Sequence, residues 1–226
     1  MRYLVLCFLF FTGCAPTFLE AHKSVGGAIV NDSEALFSKR QTRILRNNPG
    51  IPPEALKQAL AYLKSHSDSI SNQNYLTIVN FDLPSTEKRM FVIDLHSSTS
   101  ESYFAAHGKG SGENYAATFS NEINSGMTSL GFYLTGDQYT GNDGVSLQLH
   151  GLQSSNSNAF ARAVVMHGAA YVSQDFINHY GRLGRSLGCP AVELQYVAEL
   201  IEKLKNGSLL YHYHSPTERP QSQSLE

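Results

Sequence analysis

The chain has 226 residues, a formal net charge of −2 and only 16% charged side chains. That balance excludes an electrostatic nucleic-acid binder, because no basic surplus is available to face a polyanion. With 42% hydrophobic residues and no solenoid-type repeat, the sequence reads as one water-soluble globular unit able to bury a sizeable core.

Met1-Arg2 followed by the apolar run Tyr3 to Phe11 has the form of an export signal over residues 1–14. Its apolar run of about ten residues is too short to span a bilayer. Phe11-Thr12-Gly13-Cys14 resembles a bacterial lipobox, in which Cys14 becomes the acylated first residue. Ordinary cleavage near Gly13 to Ala15 is the alternative and gives a soluble periplasmic or secreted protein; an uncleaved anchor is a third. On the first reading the only membrane contact is an N-terminal lipid anchor.

From Asn31 to about Ser71 the pattern is helical, a lead-in over residues 15–72. Asn48-Pro49-Gly50 breaks it, and Pro52-Pro53 opens a second helix with Leu56, Leu60 and Leu63 at helical spacing. Residues 73–214 then change to short β-type runs: Tyr75–Phe81, Arg89–Leu95, Ser102–His107, Gly131–Thr135, Val145–His150 and Ala163–His167. A last helix carries Val197, Leu200, Ile201 and Leu204 on one stripe and stops at Asn206-Gly207, and residues 215–226 form a polar tail. The fold class is mainly β with peripheral helices, a mostly antiparallel sheet or sandwich.

Cys189 is the one cysteine outside the signal stretch that holds Cys7 and Cys14, so it has no disulfide partner after maturation. It lies in Gly184-Arg185-Ser186-Leu187-Gly188-Cys189-Pro190. Pro190 suits the first position of the last helix, which puts Cys189 at the cap, where the helix dipole lowers a thiol pKa. Gly188 carries no side chain, so the amides of Gly188 and Cys189 can approach a carbonyl oxygen and stabilise its developing charge. A buried structural cysteine is the competing reading.

A thiol nucleophile needs a base, and two strand histidines followed by glycine offer one: His150 before Gly151 and His167 before Gly168. His167 is nearer in sequence and is favoured. The stretch from Tyr171 to Gly184 between it and the cysteine reads as a loop with a short helical turn at most.

Several strings in order now carry a resemblance: His107-Gly108-Lys109-Gly110-Ser111-Gly112, Phe119-Ser120-Asn121, Ser129-Leu130-Gly131-Phe132-Tyr133 and Gly184 to Ala191. Over Tyr75 to about Tyr213 the chain resembles the L,D-transpeptidase catalytic domain of bacterial cell-wall enzymes, in a branch with a Ser-x-Gly-Cys-Pro motif. Against the common signature the gap from histidine to cysteine is longer, Leu187 stands for a second histidine, and Pro190 follows the cysteine.

The resemblance implies that Cys189 attacks, that His167 is its base, and that the Gly168 carbonyl orients the imidazole. It implies a peptidoglycan tetrapeptide stem as acyl donor, attacked between the L-centre of meso-diaminopimelate and D-alanine. It also implies a thioester, a periplasmic or envelope location, and no cofactor. A second stem would give a 3→3 cross-link, water a carboxypeptidase, and an outer-membrane protein a wall tether.

Four residues are weighed for substrate binding. Arg185 either holds a stem carboxylate or braces its loop, Ser186 bonds His167 or stabilises the loop, and Tyr133 and His150 line the cleft or pack. Gly108 to Gly112 reads as a mobile loop near the site. His150, His167 and Cys189 as zinc ligands, and a non-catalytic wall-binding lipoprotein, are the readings of other classes.

Overall fold

The computed structural model describes residues 22–216, with side chains from residue 35 onward. The expected signal segment with Cys14, and the tail beyond residue 216, lie outside the described residues. The chain divides into a first unit, residues 1–39, and a second, residues 40–226. The first helix, α1, spans His22–Asn47. It ends where expected: the Asn48 side chain donates to the Ile44 carbonyl, and Pro49 cannot continue the helix. Helix α2 (Pro53–Ser65) opens on a proline at its first position and buries Leu56, Leu60 and Leu63.

Eight strands follow: β1 (Asn72–Asn80), β2 (Met90–Asp94), β3 (Thr99–Tyr103), β4 (Gly131–Gly141), β5 (Gly144–Gly151), β6 (Val165–Ala169), β7 (Ala191–Glu193) and β8 (Ser208–Tyr213). They form one sheet in the order β3-β2-β1-β8-β4-β5-β6-β7. The pairs β1–β8 and β6–β7 are parallel, and the other five are antiparallel. Helix α3 (Gln174–Tyr180) lies between β6 and β7, and α4 (Val197–Leu204) between β7 and β8. The mainly β class with peripheral helices is therefore the fold, and the sheet is mostly antiparallel.

Strands distant in the sheet order share one apolar cluster, which joins Val79 and Met90 to Leu147, Met166 and Val192. The sheet thus curls around a common centre. Helix α4 fills that centre with the stripe its sequence encodes, burying Val197, Leu200, Ile201 and Leu204. Each such side chain contributes about 1.5–3 kcal/mol of transfer free energy. Among the described residues no helix is long and apolar enough to cross a membrane.

Candidate active site

The last helix begins at Val197, with Tyr196 as its cap, eight residues after the cysteine. Cys189 therefore does not cap a helix. Pro190 instead leads into β7, which pairs parallel with β6 in the register His167↔Ala191 and Ala169↔Glu193. A proline before a three-residue strand satisfies the same local preference as one opening a helix, since neither place uses its missing N–H. Burial, the largest cause, pushes the Cys189 thiol pKa up rather than down. The backbone N–H of Val165 and the guanidinium of Arg162 act against that rise, and Asp143 adds to it.

Side chains alternate across a strand, so register decides what shares a face with the thiol. Met166 and Val192 point into the central cluster. Val165, His167 and Ala169 of β6, with Ala191 and Glu193 of β7, point the other way. The antiparallel pairs Ser146↔His167 and Gln148↔Val165 bring β5 onto that face, and two residues beyond Gln148 lies His150. Cys189 lies two residues before Ala191, at the start of this edge, and Val165 N–H donates to its Sγ at 3.5 Å. Sγ also lies 3.7 Å from the Ala163 carbonyl oxygen.

His167 is buried, and its Nδ1 lies 3.2 Å from the Gly168 carbonyl oxygen. A carbonyl only accepts, so Nδ1 carries the proton and Nε2 keeps its lone pair. That is the tautomer a general base requires.

Ser186 closes the nucleophile turn. Gly188 N–H donates to Ser186 Oγ at 3.0 Å, and Ser186 Oγ donates to the Cys189 carbonyl at 2.7 Å. This corrects one expectation: the Gly188 amide is committed to Ser186 and is not offered to a substrate carbonyl. The φ of Gly188 is 130°, and a Cβ there would lie 2.7 Å from the Met127 carbonyl oxygen, so only glycine fits.

The glycine run before it is braced rather than loose. Gly108 bridges Ser186 in parallel fashion, its N–H donates to Thr128 Oγ1 at 3.0 Å, and Ser111 is fully buried. Arg185 Nη1 donates to the Gly112 carbonyl at 3.1 Å and meets Glu113 Oε1 at 2.6 Å, while Arg182 holds the other Glu113 oxygen at 2.9 Å. In this structure Arg185 and Ser186 both brace their loop.

Tyr133 does not line a cleft. It is fully buried in a small cluster with Leu149, Val164 and Leu210, its hydroxyl meets Ser129, and burial pushes its pKa up to about 12. Strand alternation placed it on a face without revealing that this face is covered. His150 is partly exposed and stacks on Phe160 with centroids 5.3 Å apart. Phe160 lines a cleft of about 160 Å³ with Gln148, Ala163 and Val165, so the opening lies directly beside the thiol's own partners. Among the described residues no three His, Cys, Asp or Glu side chains converge as a metal site, so His150, His167 and Cys189 do not form the zinc set.

Two arginines near the site were not singled out from sequence. Arg162 donates to the Ser120 carbonyl at 2.8 Å and to the Met127 carbonyl, and lends positive charge to Cys189. Its position three residues before β6 was the available signal. Arg89 is fully buried without a carboxylate, donating from Nη2 to His107 Nδ1 at 2.6 Å and from Nε to the Ala105 carbonyl at 2.9 Å. Burial first, and then Arg89, push the pKa of His107 down to about 4, so this pair supports the Gly108 loop with a neutral imidazole.

A family profile described as an L,D-transpeptidase catalytic domain matches residues 47–213. Comparison with curated protein sequences gives no match. Among solved structures, similarity is found to an L,D-transpeptidase from Mycobacterium smegmatis at 12% identity, covering 62% of this chain and 59% of that one, with a TM-score of 0.39. An L,D-transpeptidase from Xylanimonas cellulosilytica aligns at 15% identity over 69% of each chain, TM-score 0.35. The helical cell shape determining protein Pgp2 from Campylobacter jejuni aligns at 12% identity over 74% of this chain and 58% of its own, TM-score 0.40. The chain thus spans about six tenths of the length of the first of these.

Proposed function

The chain belongs to the L,D-transpeptidase catalytic domain family, and on that premise we propose that it is a cysteine-dependent acyltransferase of peptidoglycan stem peptides. The observation that carries the reading is the parallel β6–β7 register, with Cys189 Sγ against Val165 N–H and His167 two residues further along the same face.

The chemistry follows from that face. The thiol proton passes to His167 Nε2, and Cys189 Sγ attacks the carbonyl carbon between the diamino acid and D-alanine. The carbon–nitrogen bond breaks, the imidazolium returns its proton to the leaving D-alanine amine, and a thioester remains. An acceptor amine then attacks the thioester, gives its proton to His167 and releases the thiolate. With the Gly188 amide committed, the Cys189 N–H is the donor left in this turn to face the developing oxyanion.

A second stem peptide is the acceptor in this reading, giving a 3→3 cross-link in the cell envelope. Lipid attachment at Cys14 would fix the enzyme at a membrane facing the wall. Incubation with tetrapeptide muropeptides, beside Cys189→Ala, tests it by mass spectrometry of the products. Cross-linked dimers support the reading, D-alanine loss alone moves the acceptor to water, and identical profiles from both proteins overturn the nucleophile.

A further inference from the structure

We propose that a second cleft, at the end of β6 and β7 remote from Cys189, binds a primary ammonium group on an alkyl arm of the peptide substrate, with Glu193 as counter-charge. The inference rests on the stem-peptide reading above and adds to it a subsite.

Glu193 is only 9% exposed. Gln195 Nε2 donates to its Oε1 at 3.4 Å, while Oε2 is buried without a hydrogen-bond partner. An unpaired carboxylate oxygen held away from water is costly unless something positive meets it. Glu193 lines a cleft of about 470 Å³, a size suited to a small organic group. Asp175 adds a second carboxylate, Gln174 and Gln195 are neutral, and no lysine or arginine lines the space. The Ser173 hydroxyl is already committed to Phe176 N–H. Ala170, Val172 and Leu194 supply apolar wall for an alkyl arm. Two carboxylates, with no third His, Cys, Asp or Glu grouped beside them among the described residues, suit an ammonium ion better than a metal.

Position ties this cleft to the chemistry. The pair Ala169↔Glu193 follows His167↔Ala191 on one sheet face, so Glu193 stands beyond the imidazole from the thiol. Glu193 lies four positions after Cys189, at most about 14 Å of extended chain. A peptide whose carbonyl sits at Sγ can cross that span with an amine-bearing side chain.

The ammonium is the acyl donor's, because an acceptor amine must be neutral and reach Sγ to attack the thioester and cannot do so while held at Glu193. Cys189→Ala protein, which cannot turn over, is titrated calorimetrically with a tetrapeptide stem whose side-chain amine is free and with the same peptide acetylated on that amine. For a donor ammonium, acetylation and Glu193→Gln each weaken binding about 10- to 100-fold, and together no more than either alone. Changes under threefold on both acetylation and Glu193→Gln overturn the proposal. Because acetylation leaves the protein untouched, the donor arm holds even if Glu193→Gln does not fold. Cadaverine separates a failed site from a failed substrate reading: it should shift the amide resonances of Ala169, Glu193 and Gln195 in the wild-type protein. Such shifts without any acylation by stem peptides would overturn the stem-peptide reading and leave the ammonium site standing. No shift would overturn the site.

Discussion

Cys189 Sγ lies 3.7 Å from the carbonyl oxygen of Ala163, a residue that holds φ at +51° although it is not glycine. A side chain in the left-handed region costs roughly 1–2 kcal/mol, and such strain persists where the surroundings fix it. Here it turns a carbonyl toward the thiol just before β6 begins. In the resting protein the thiol thus has a carbonyl to donate to, and on the proposed mechanism it must turn from Ala163 to His167 before it reacts.

Ala163→Val tests that arrangement. Ala163 is exposed, so valine meets no packing barrier and the cost falls on the backbone, where a β-branched residue tolerates positive φ worst. Urea unfolding should show a loss of about 1–2 kcal/mol with an unchanged slope, and acylation should slow. Ala163→Gly should retain both stability and rate to within about 1 kcal/mol. Equal behaviour of the valine and glycine variants would contradict the assignment.

The thiol's pH dependence follows from its surroundings. Burial raises the Cys189 pKa, so the group is a neutral thiol at pH 7 and becomes a thiolate only as pH climbs past its raised value. Iodoacetamide alkylation should therefore rise with pH to a midpoint above about 8.5, the ordinary value for cysteine. Arg162 lowers the pKa and Asp143 raises it, so Arg162→Ala should move the midpoint up and Asp143→Asn should move it down. A midpoint below the ordinary value would contradict burial as the main influence on this thiol.

Acid should destabilise the fold through two buried histidines. Burial first, and then Arg89, lower the His107 pKa to about 4; burial lowers that of His212 to about 4 as well. The unfolded chain binds protons near pH 6.5 that the folded chain refuses, so their contribution is complete above about pH 6.5 and is lost as pH falls toward 4. The loss is on the order of 1 kcal/mol per pH unit for each. Urea midpoints measured from pH 7 to 4.5 should fall accordingly, and a flat profile would contradict the burial of these rings.

Arg185 and Glu113 should act as one unit. Glu113 is largely exposed, so the ion pair contributes under about 1 kcal/mol to stability. Its effect on turnover works through the loop it braces, and Arg185→Ala, Glu113→Gln and the double variant should therefore lower activity to a similar extent. If Arg185 instead held a substrate carboxylate directly, Arg185→Ala alone would be severe and Glu113→Gln near wild type.

Much of this architecture is legible in the residues. The break at Asn48-Pro49-Gly50, the proline opening α2 and the stripe Val197, Leu200, Ile201, Leu204 are local signals that the structure matches, although the last helix begins at Val197 and not at Pro190. Ala191–Glu193 is different: three residues carry no periodicity, and they form a strand because β6 lies beside them, a contact between distant parts of the chain. The same ambiguity moved Cys189 from a helix cap to the approach of a strand and reversed the sign of its pKa shift. Ser208–Tyr213, the strand between β1 and β4, reads as mixed polar and apolar, and its pairing on both sides is equally nonlocal. Tyr133 shows a further limit, since alternation assigns a face and only tertiary packing says whether that face meets solvent.

The most direct measurement is the intact mass of the wild-type protein during reaction with a tetrapeptide stem, followed by mapping of the modified peptide. The account predicts an adduct equal to the stem minus D-alanine, confined to the segment containing Cys189, absent from Cys189→Ala and formed far more slowly by His167→Ala. Released D-alanine with no adduct on Cys189, or an adduct that forms equally well without His167, would contradict it.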